Sequence, residues 1–145
     1  MGISTKSLKH LWGRSGNRCA ICRRELVETA SNGDPDSLVG EACHIVAREK
    51  SGPRGNSSMS QSDRDEYGNL ILLCNVHHKV VDDQIATYSV EVLHAIKQRH
   101  EKWVQDRLTN DTSAAKEPTI CFRVNDALSL SGSAKIILQN VVVDG

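Results

Sequence analysis

The sequence predicts an α+β fold in which a small core is held by a metal ion and flanked by helices. Three observations support this prediction. Two pairs of metal-ligating residues are widely separated in the chain, two short apolar runs have the length of strands, and only five of the 145 residues are aromatic. A chain of this length forms one compact domain, and an aliphatic core gains stability from a metal that closes a long loop.

Charge and composition exclude several classes of function. Eighteen Lys and Arg residues balance eighteen Asp and Glu residues, which excludes a polycationic mode of holding nucleic acid. No apolar run reaches the ~18 residues of a membrane span, and the first residues lack the apolar segment of a secretory signal. We therefore expect a cytoplasmic protein without membrane contact, whose five cysteines are metal ligands or buried residues rather than disulfides.

The first predicted element is a short basic helix. Leu8, Leu11 and Trp12 recur at helical spacing, and residues 4–24 carry six Lys or Arg and no acidic residue. Contact with phosphates is the functional interpretation of this charge, and a solvated surface is the structural one. The candidates for binding nucleic acid, here and in the later loop, are Lys9, Arg14, Arg18, Arg48 and Arg54.

The middle of the chain predicts two strands, a long loop and two helices. Residues 38–46 indicate the first strand, and residues 70–73 indicate a second, buried strand. Residues 48–68 are rich in Gly, Ser, Asp and Arg and are expected to form a structureless loop. Residues 75–83 predict a short helix. A longer helix capped by Ser89 has one face formed by Leu93, Ile96, His100, Trp103 or Val104, and Leu108.

The end of the chain differs in composition from the rest. Residues 1–108 are expected to form the main domain, residues 109–117 a linker, and residues 118–145 a β-rich extension. So short an extension cannot bury its own strands. We expect it to form a homodimer, to dock to a partner domain, or to begin a further domain.

Two pairs of residues have the spacing of zinc knuckles. Cys19 and Cys22 form the first pair, and Cys74 and His77 form the second. A backbone turn of this spacing presents two ligands to a tetrahedral zinc ion, and two such turns complete the site. The alternative, a set of unrelated buried residues, is disfavoured because the spacing is repeated.

Residues 11–103 resemble the HNH, or ββα-metal, endonucleases, in the branch that is supported by zinc. The resemblance rests on the first knuckle, on Glu-Ala-Cys-His-Ile-Val at residues 41–46, and on the segment from Gly68 to Asp82. In this order a His ends one strand, an Asn opens the next, and a His lies in the first turn of the following helix. Residues 11–18 and 52–55 are also similar to nuclease modules of bacterial antiphage effectors.

The resemblance implies a metal-dependent endonuclease that acts on double-stranded DNA, with His44, Asn69 and His78 as its catalytic set. Phosphodiester hydrolysis needs an activated water and a cation that stabilises charge on the phosphate. His44 is suited to act as the general base near neutral pH. Asn69 can hydrogen-bond around His44 and fix the loop between the strands.

The adjacent histidines are expected to serve two different metal ions. Neighbouring residues on a helix point about 100° apart, so they do not converge on one ion. The spacing from Cys74 assigns His77 to the structural zinc, which leaves His78 for a catalytic Mg²⁺ or Mn²⁺. Asp82 lies four residues after His78 on the same helix face and offers the oxygen that such an ion prefers, and Asp83 is the alternative ligand.

Cys43 departs from the pattern of the family. In several nucleases of this class, the residue before the base histidine is an acidic residue or a histidine that binds the metal. A thiolate is a poor ligand for a hard cation, so we interpret Cys43 as a buried residue. The alternative function is a zinc-bearing nucleic-acid-binding module without cleavage activity, which would have no need of the set formed by His44, Asn69 and His78.

Overall fold

The computed structural model describes residues 2–113, and it confirms the α+β class. A 3₁₀ turn, Tyr67–Asn69, precedes the last strand. The helices and strands in chain order are α1 (Thr5–Ser15), β1 (Val27–Glu28), β2 (Ser37–Leu38), β3 (Gly40–His44), α2 (Gln61–Arg64), β4 (Leu70–Cys74), α3 (Asn75–Asp83) and α4 (Val90–Ser113).

An antiparallel pair of strands lies at the centre of the core. β3 pairs with β4 in a register that runs from Gly40 opposite Cys74 to His44 opposite Leu70. All five residues of β4 are buried, as expected for a short apolar run with no polar alternation. The predicted strand 38–46 is wrong at both ends, since Leu38 belongs to β2 and the ladder of β3 stops at His44.

The register also explains where α3 begins. Asn75 starts this helix directly after β4, and its backbone N–H donates to the carbonyl of Val39, beside the start of β3. The core around the strands is aliphatic, as the composition predicts. Its largest fully buried apolar side chains are Leu11, Leu26, Ile45, Val46, Leu70, Ile71, Leu72, Leu73, Val81 and Leu93.

The segment between β3 and β4 is ordered around a buried arginine, so the prediction of a structureless loop is wrong. Arg64 is 1% exposed, and its guanidinium donates to the carbonyls of Ala47, Gly55 and Ser57, with a longer contact to Met59. From the sequence alone, an arginine is expected to be exposed to solvent. In the structure, the buried Arg64 side chain holds the segment together through hydrogen bonds to its backbone carbonyls.

The loop closes tightly at Gly55. A Cβ atom at this position would lie 2.3 Å from the Glu49 carbonyl oxygen and 2.8 Å from that of Lys50. Any other side chain would therefore displace the backbone carbonyls that surround it. Gly55 and the buried Arg64 together hold the loop in one backbone conformation.

Replacing Arg64 by Met should destabilise the domain by on the order of 3 kcal/mol, because several buried carbonyl groups would lose their donor. Arg99→Met is the matched control, since Arg99 is exposed on α4. Urea unfolding of both variants checks this. Equal midpoints for the two variants would contradict a structural role for the Arg64 guanidinium.

The helix α4 contacts the chain at the end of α1. Ser4 caps the start of α1, and Gly16 ends it in the left-handed conformation. His100 of α4 is buried and donates from Nε2 to the Ser15 carbonyl at 3.1 Å. Burial lowers the pKa of His100, which favours the neutral imidazole.

The predicted apolar face of α4 is confirmed as far as Val104. Leu93, His100 and Val104 are buried, and Ile96 packs against the core. Leu108 is 63% exposed, so its inclusion in the face is wrong. Val104 is the last buried residue in the described part of this helix, and the core therefore ends before Leu108.

The C-terminal predictions lie mostly outside the described residues. α4 extends to Ser113, so the first part of the predicted linker 109–117 is helical. The rest of the linker and the β-rich extension 118–145 are outside the described range. Among the helices of residues 2–113, none is both long enough and apolar enough to cross a membrane.

Candidate metal centre and active site

Four side chains converge on one point, as the spacing of the two knuckles predicts. The ligand atoms of Cys19, Cys22, Cys74 and His77 all lie within 4.8 Å of one another. His77 Nδ1 is 3.2 Å from Cys74 Sγ and 3.7 Å from Cys19 Sγ. Three thiols and one imidazole form a complete tetrahedral ligand set of the kind that structural zinc takes. The residues present therefore fit such an ion.

The strand β4 positions both knuckles. In the first knuckle, the Arg23 backbone N–H donates to the Cys19 carbonyl at 2.8 Å, and Arg23 adopts a φ of 59°. The Ala20 N–H donates to the Leu72 carbonyl at 3.0 Å, which attaches this turn to β4. Cys74 ends β4 itself and precedes α3, so the second knuckle continues directly from the same strand.

The adjacent histidine of α3 faces a different group of side chains. His78 Nδ1 contacts a carboxylate oxygen of Glu41 on β3, and His78 Nε2 lies 3.2 Å from Asp82 Oδ2. Neither carboxylate belongs to the thiol cluster around His77. The structure thus places the two neighbouring imidazoles in two distinct environments.

Glu41 contacts His78, and the sequence analysis did not identify this residue. It lies 37 residues from His78 in the chain, and only the pairing of β3 with β4 brings it beside α3. One of eighteen acidic residues carries no local signal for such a contact. The sequence offers one clue to its position. Side chains alternate between the two faces of a strand, so Glu41 and Cys43 lie on the same face of β3.

The side chain of Arg54 is buried, which corrects the prediction that this residue contacts nucleic acid. Its side chain is 5% exposed, and Nη2 donates to Asp82 Oδ1 at 2.7 Å. Nη1 donates to the Val81 carbonyl at 2.6 Å, and Nε donates to the Ile45 carbonyl at 2.8 Å. All three nitrogens are therefore engaged within the protein. Arg54 links the residue after His44 to the carboxylate beside His78.

His44 lies at the end of β3 and has a carboxylate partner. Its Nε2 is 3.0 Å from Asp65 Oδ1, and the side chains of His44 and Asp65 are 20% and 15% exposed. The other carboxylate oxygen of Asp65 lies 3.5 Å from Arg48 Nε. Asp65, like Glu41, was missed by the sequence analysis, because it lies 21 residues from His44 within the loop that was expected to be structureless.

Asn69 fixes the chain just beyond His44. Its Oδ1 accepts from the Val46 N–H at 2.9 Å, and its Nδ2 donates to the Val46 and Arg64 carbonyls, each at 2.9 Å. Asn69 is 2% exposed, and its backbone carbonyl accepts from the Ile45 N–H at 2.8 Å. The amide therefore joins the end of β3, the end of α2 and the start of β4.

The other candidates for nucleic-acid contact remain accessible to different degrees. Lys9 and Arg14 are exposed on α1, whereas Arg18 is partly buried and donates to the Arg23 carbonyl at 3.1 Å. Arg48 is 39% exposed beside Asp65. These four residues keep the accessibility that contact with a phosphate requires.

Cys43 is buried, in agreement with the interpretation of this residue from the sequence. It is 1% exposed, and burial raises the pKa of its thiol, with the nearby carboxylates of Asp82 and Glu41 adding to the effect. A neutral buried thiol is not a ligand for a hard cation. The side-chain atoms that contact His78 are instead carboxylate oxygens, which belong to Glu41 and Asp82.

His77→Ala and His78→Ala should differ in metal content. We expect the first substitution to lower zinc well below one equivalent, because it removes a ligand of the thiol cluster, and the second to retain zinc. Inductively coupled plasma mass spectrometry of the two purified proteins measures this. Zinc lost from His78→Ala and kept in His77→Ala would reverse the assignment.

Comparison with known proteins gives one family. The model of a family described as HNH endonuclease matches residues 19–87, while no curated protein matches the chain. The matched range begins at the first cysteine of the cluster and includes β3, β4 and α3. It also includes His44, Asn69 and His78. Residues 19–87, which contain the Cys/His cluster, are therefore similar to the HNH endonuclease family.

Proposed function

We propose that this chain is a metal-dependent endonuclease that hydrolyses phosphodiester bonds of double-stranded DNA. One observation carries the proposal. A single unit of two strands and a helix holds an imidazole with a carboxylate partner, His44 with Asp65, and a second imidazole with carboxylates at both nitrogens, His78. A pure binding module has no need of either arrangement.

Two metal ions fit the donor sets of this chain. Zinc fits the cluster of three thiols and one imidazole. Mg²⁺ or Mn²⁺ would be held by His78 Nε2 and Asp82 Oδ2, which lie 3.2 Å apart and offer one nitrogen and one oxygen ligand. When bound, such an ion supplies stabilisation of the charge that develops on the phosphate and the leaving oxygen.

The protein groups have separate tasks in this proposal. His44 accepts the proton of the attacking water, and Asn69 holds the backbone beside it. Arg54 orients the carboxylate of Asp82 toward His78. Glu41 contacts the opposite nitrogen of His78, the place where metal-binding histidines commonly have a carboxylate partner. Accessible basic residues contact the DNA backbone, namely Lys9, Arg14, Arg18 and Arg48.

The setting of the reaction is part of the proposal. A reducing cytoplasm suits the free thiols of the cluster, since none of the four cysteines in the described range forms a disulfide. One HNH unit offers one active site. Cutting both strands of a duplex then calls for two copies or two successive encounters, which a homodimer or a docked partner would provide.

Incubation of the zinc-containing protein with supercoiled plasmid and Mg²⁺ or Mn²⁺ tests the proposal. We expect conversion of the plasmid to nicked or linear forms. Retarded migration of intact plasmid in a binding gel, with no cleavage under either ion, would instead support the zinc-bearing binding module. Cleavage and retention are read from the same protein preparation.

A further inference from the structure

We propose that Asp65 is the positioning residue of His44, and that it holds the imidazole in the tautomer whose Nδ1 accepts the proton of water. This inference rests on the proposed function, because it assigns a role within the same site. It names the reacting atom of His44 and adds a residue that the sequence analysis did not select.

The choice of tautomer follows from the donor and acceptor capacity of the two groups. Asp65 Oδ1 lies 3.0 Å from His44 Nε2. An ionised carboxylate accepts hydrogen bonds and donates none, so the hydrogen in this contact belongs to Nε2. A neutral imidazole carries only one N–H, and its lone pair then lies on Nδ1. Nδ1 is therefore the atom that takes the proton of the water.

Asp65 is held in place by the buried framework of the loop. Its backbone N–H donates to the Ser62 carbonyl at 3.3 Å, at the end of α2. The preceding residue, Arg64, is buried, and its carbonyl accepts from Asn69 Nδ2 at 2.9 Å. Asn69 therefore acts on His44 by two routes, through Val46 and through the segment that carries Asp65.

The charge of Asp65 also suits the reaction. When His44 accepts a proton, it becomes an imidazolium, and the carboxylate at Nε2 stabilises that positive charge in a mostly buried contact. Arg48 near the second carboxylate oxygen balances the negative charge of Asp65 before the proton arrives. We expect this arrangement to favour the transition state over the bound substrate.

Asp65→Asn should lower kcat for plasmid cleavage by about 10²-fold, the lower end of the range for general acid–base groups, with KM within about twofold. An asparagine can turn its NH₂ group toward Nε2 and favour the opposite tautomer. Asp63→Asn is the matched control, since Asp63 is an exposed residue of α2, two positions before Asp65, whose carboxylate accepts from the Ser60 hydroxyl. A kcat for Asp65→Asn within about threefold of wild type would overturn the inference.

Nitrogen-15 NMR of the histidine rings gives a readout that does not depend on cleavage. We expect His44 of the wild-type protein to carry its hydrogen on Nε2, and we expect Asp65→Asn to lose this state. A wild-type His44 with its hydrogen on Nδ1 would overturn the inference, even if no variant folds. An inactive wild-type protein that shows the Nε2–H state would reject the proposed nuclease and keep only the assignment of the His44 tautomer to Asp65.

Discussion

His44→Ala should abolish plasmid cleavage and leave folding, zinc content and DNA affinity close to those of the wild-type protein. The general base acts on water, and removing such a group typically lowers the rate by about 10²–10⁴-fold. The His44 side chain is 20% exposed and lies at the end of β3, outside the buried core cluster. Its loss therefore leaves only a small packing defect.

The rate is best measured under single-turnover conditions with saturating Mg²⁺, so that binding and chemistry are separated. His94→Ala is the matched control, because His94 is a partly buried histidine on α4 that belongs to neither metal site. Cleavage by His44→Ala at a rate near that of wild type would remove His44 from the mechanism.

Cys74→Ser should prevent the domain from folding stably. Cys74 ends β4, and the cluster joins this strand to the first knuckle and to α3. Zinc binding in such modules contributes on the order of 10 kcal/mol to folding, which is comparable to the whole stability of a small domain. We expect loss of the cooperative urea transition, measured by circular dichroism, together with loss of bound zinc.

Cys43→Ser is the control for this substitution. Cys43 is as buried as Cys74 but lies outside the cluster, so the change should keep one equivalent of zinc. Burying a hydroxyl in place of a thiol should lower the free energy of unfolding by about 1–3 kcal/mol. If Cys74→Ser and Cys43→Ser have the same urea unfolding transition, the cluster does not stabilise the fold.

Elements with a local signature were predictable from the sequence. The predicted helix 75–83 agrees with α3, Asn75–Asp83, and the buried strand 70–73 agrees with β4 to within one residue. The metal cluster was also predictable, because each half of it is encoded by two ligands three residues apart. In these cases a short segment contains the whole signal.

The rest of the site depends on contacts between distant segments. Asp65 reaches His44 and Glu41 reaches His78 only after the strands have paired and the loop has folded. Arg54 and Arg64 look like loop residues that are free to bind phosphate, yet both guanidinium groups are buried against backbone carbonyls. Charge in the sequence does not reveal burial when the partners are backbone groups.

The Gly-Pro-Arg-Gly segment at residues 52–55 shows the same difficulty. Arg54 supports Asp82, and Gly55 is required by the close approach of the Glu49 carbonyl. These contacts give a structural reason for the Arg and the second Gly of the segment, and this reason does not depend on a role in antiphage defence. A role in antiphage defence therefore stays a prediction from resemblance.

One metal ion supports the fold of this domain, and a second is needed for cleavage. The decisive measurement is the initial rate of plasmid cleavage by protein that contains one equivalent of zinc, before and after addition of Mg²⁺ or Mn²⁺. We expect no cleavage with zinc alone and rapid cleavage once either ion is added, with the zinc content unchanged. Full activity with zinc alone, or no activity after both ions have been tried, would show that this division between two metals is wrong.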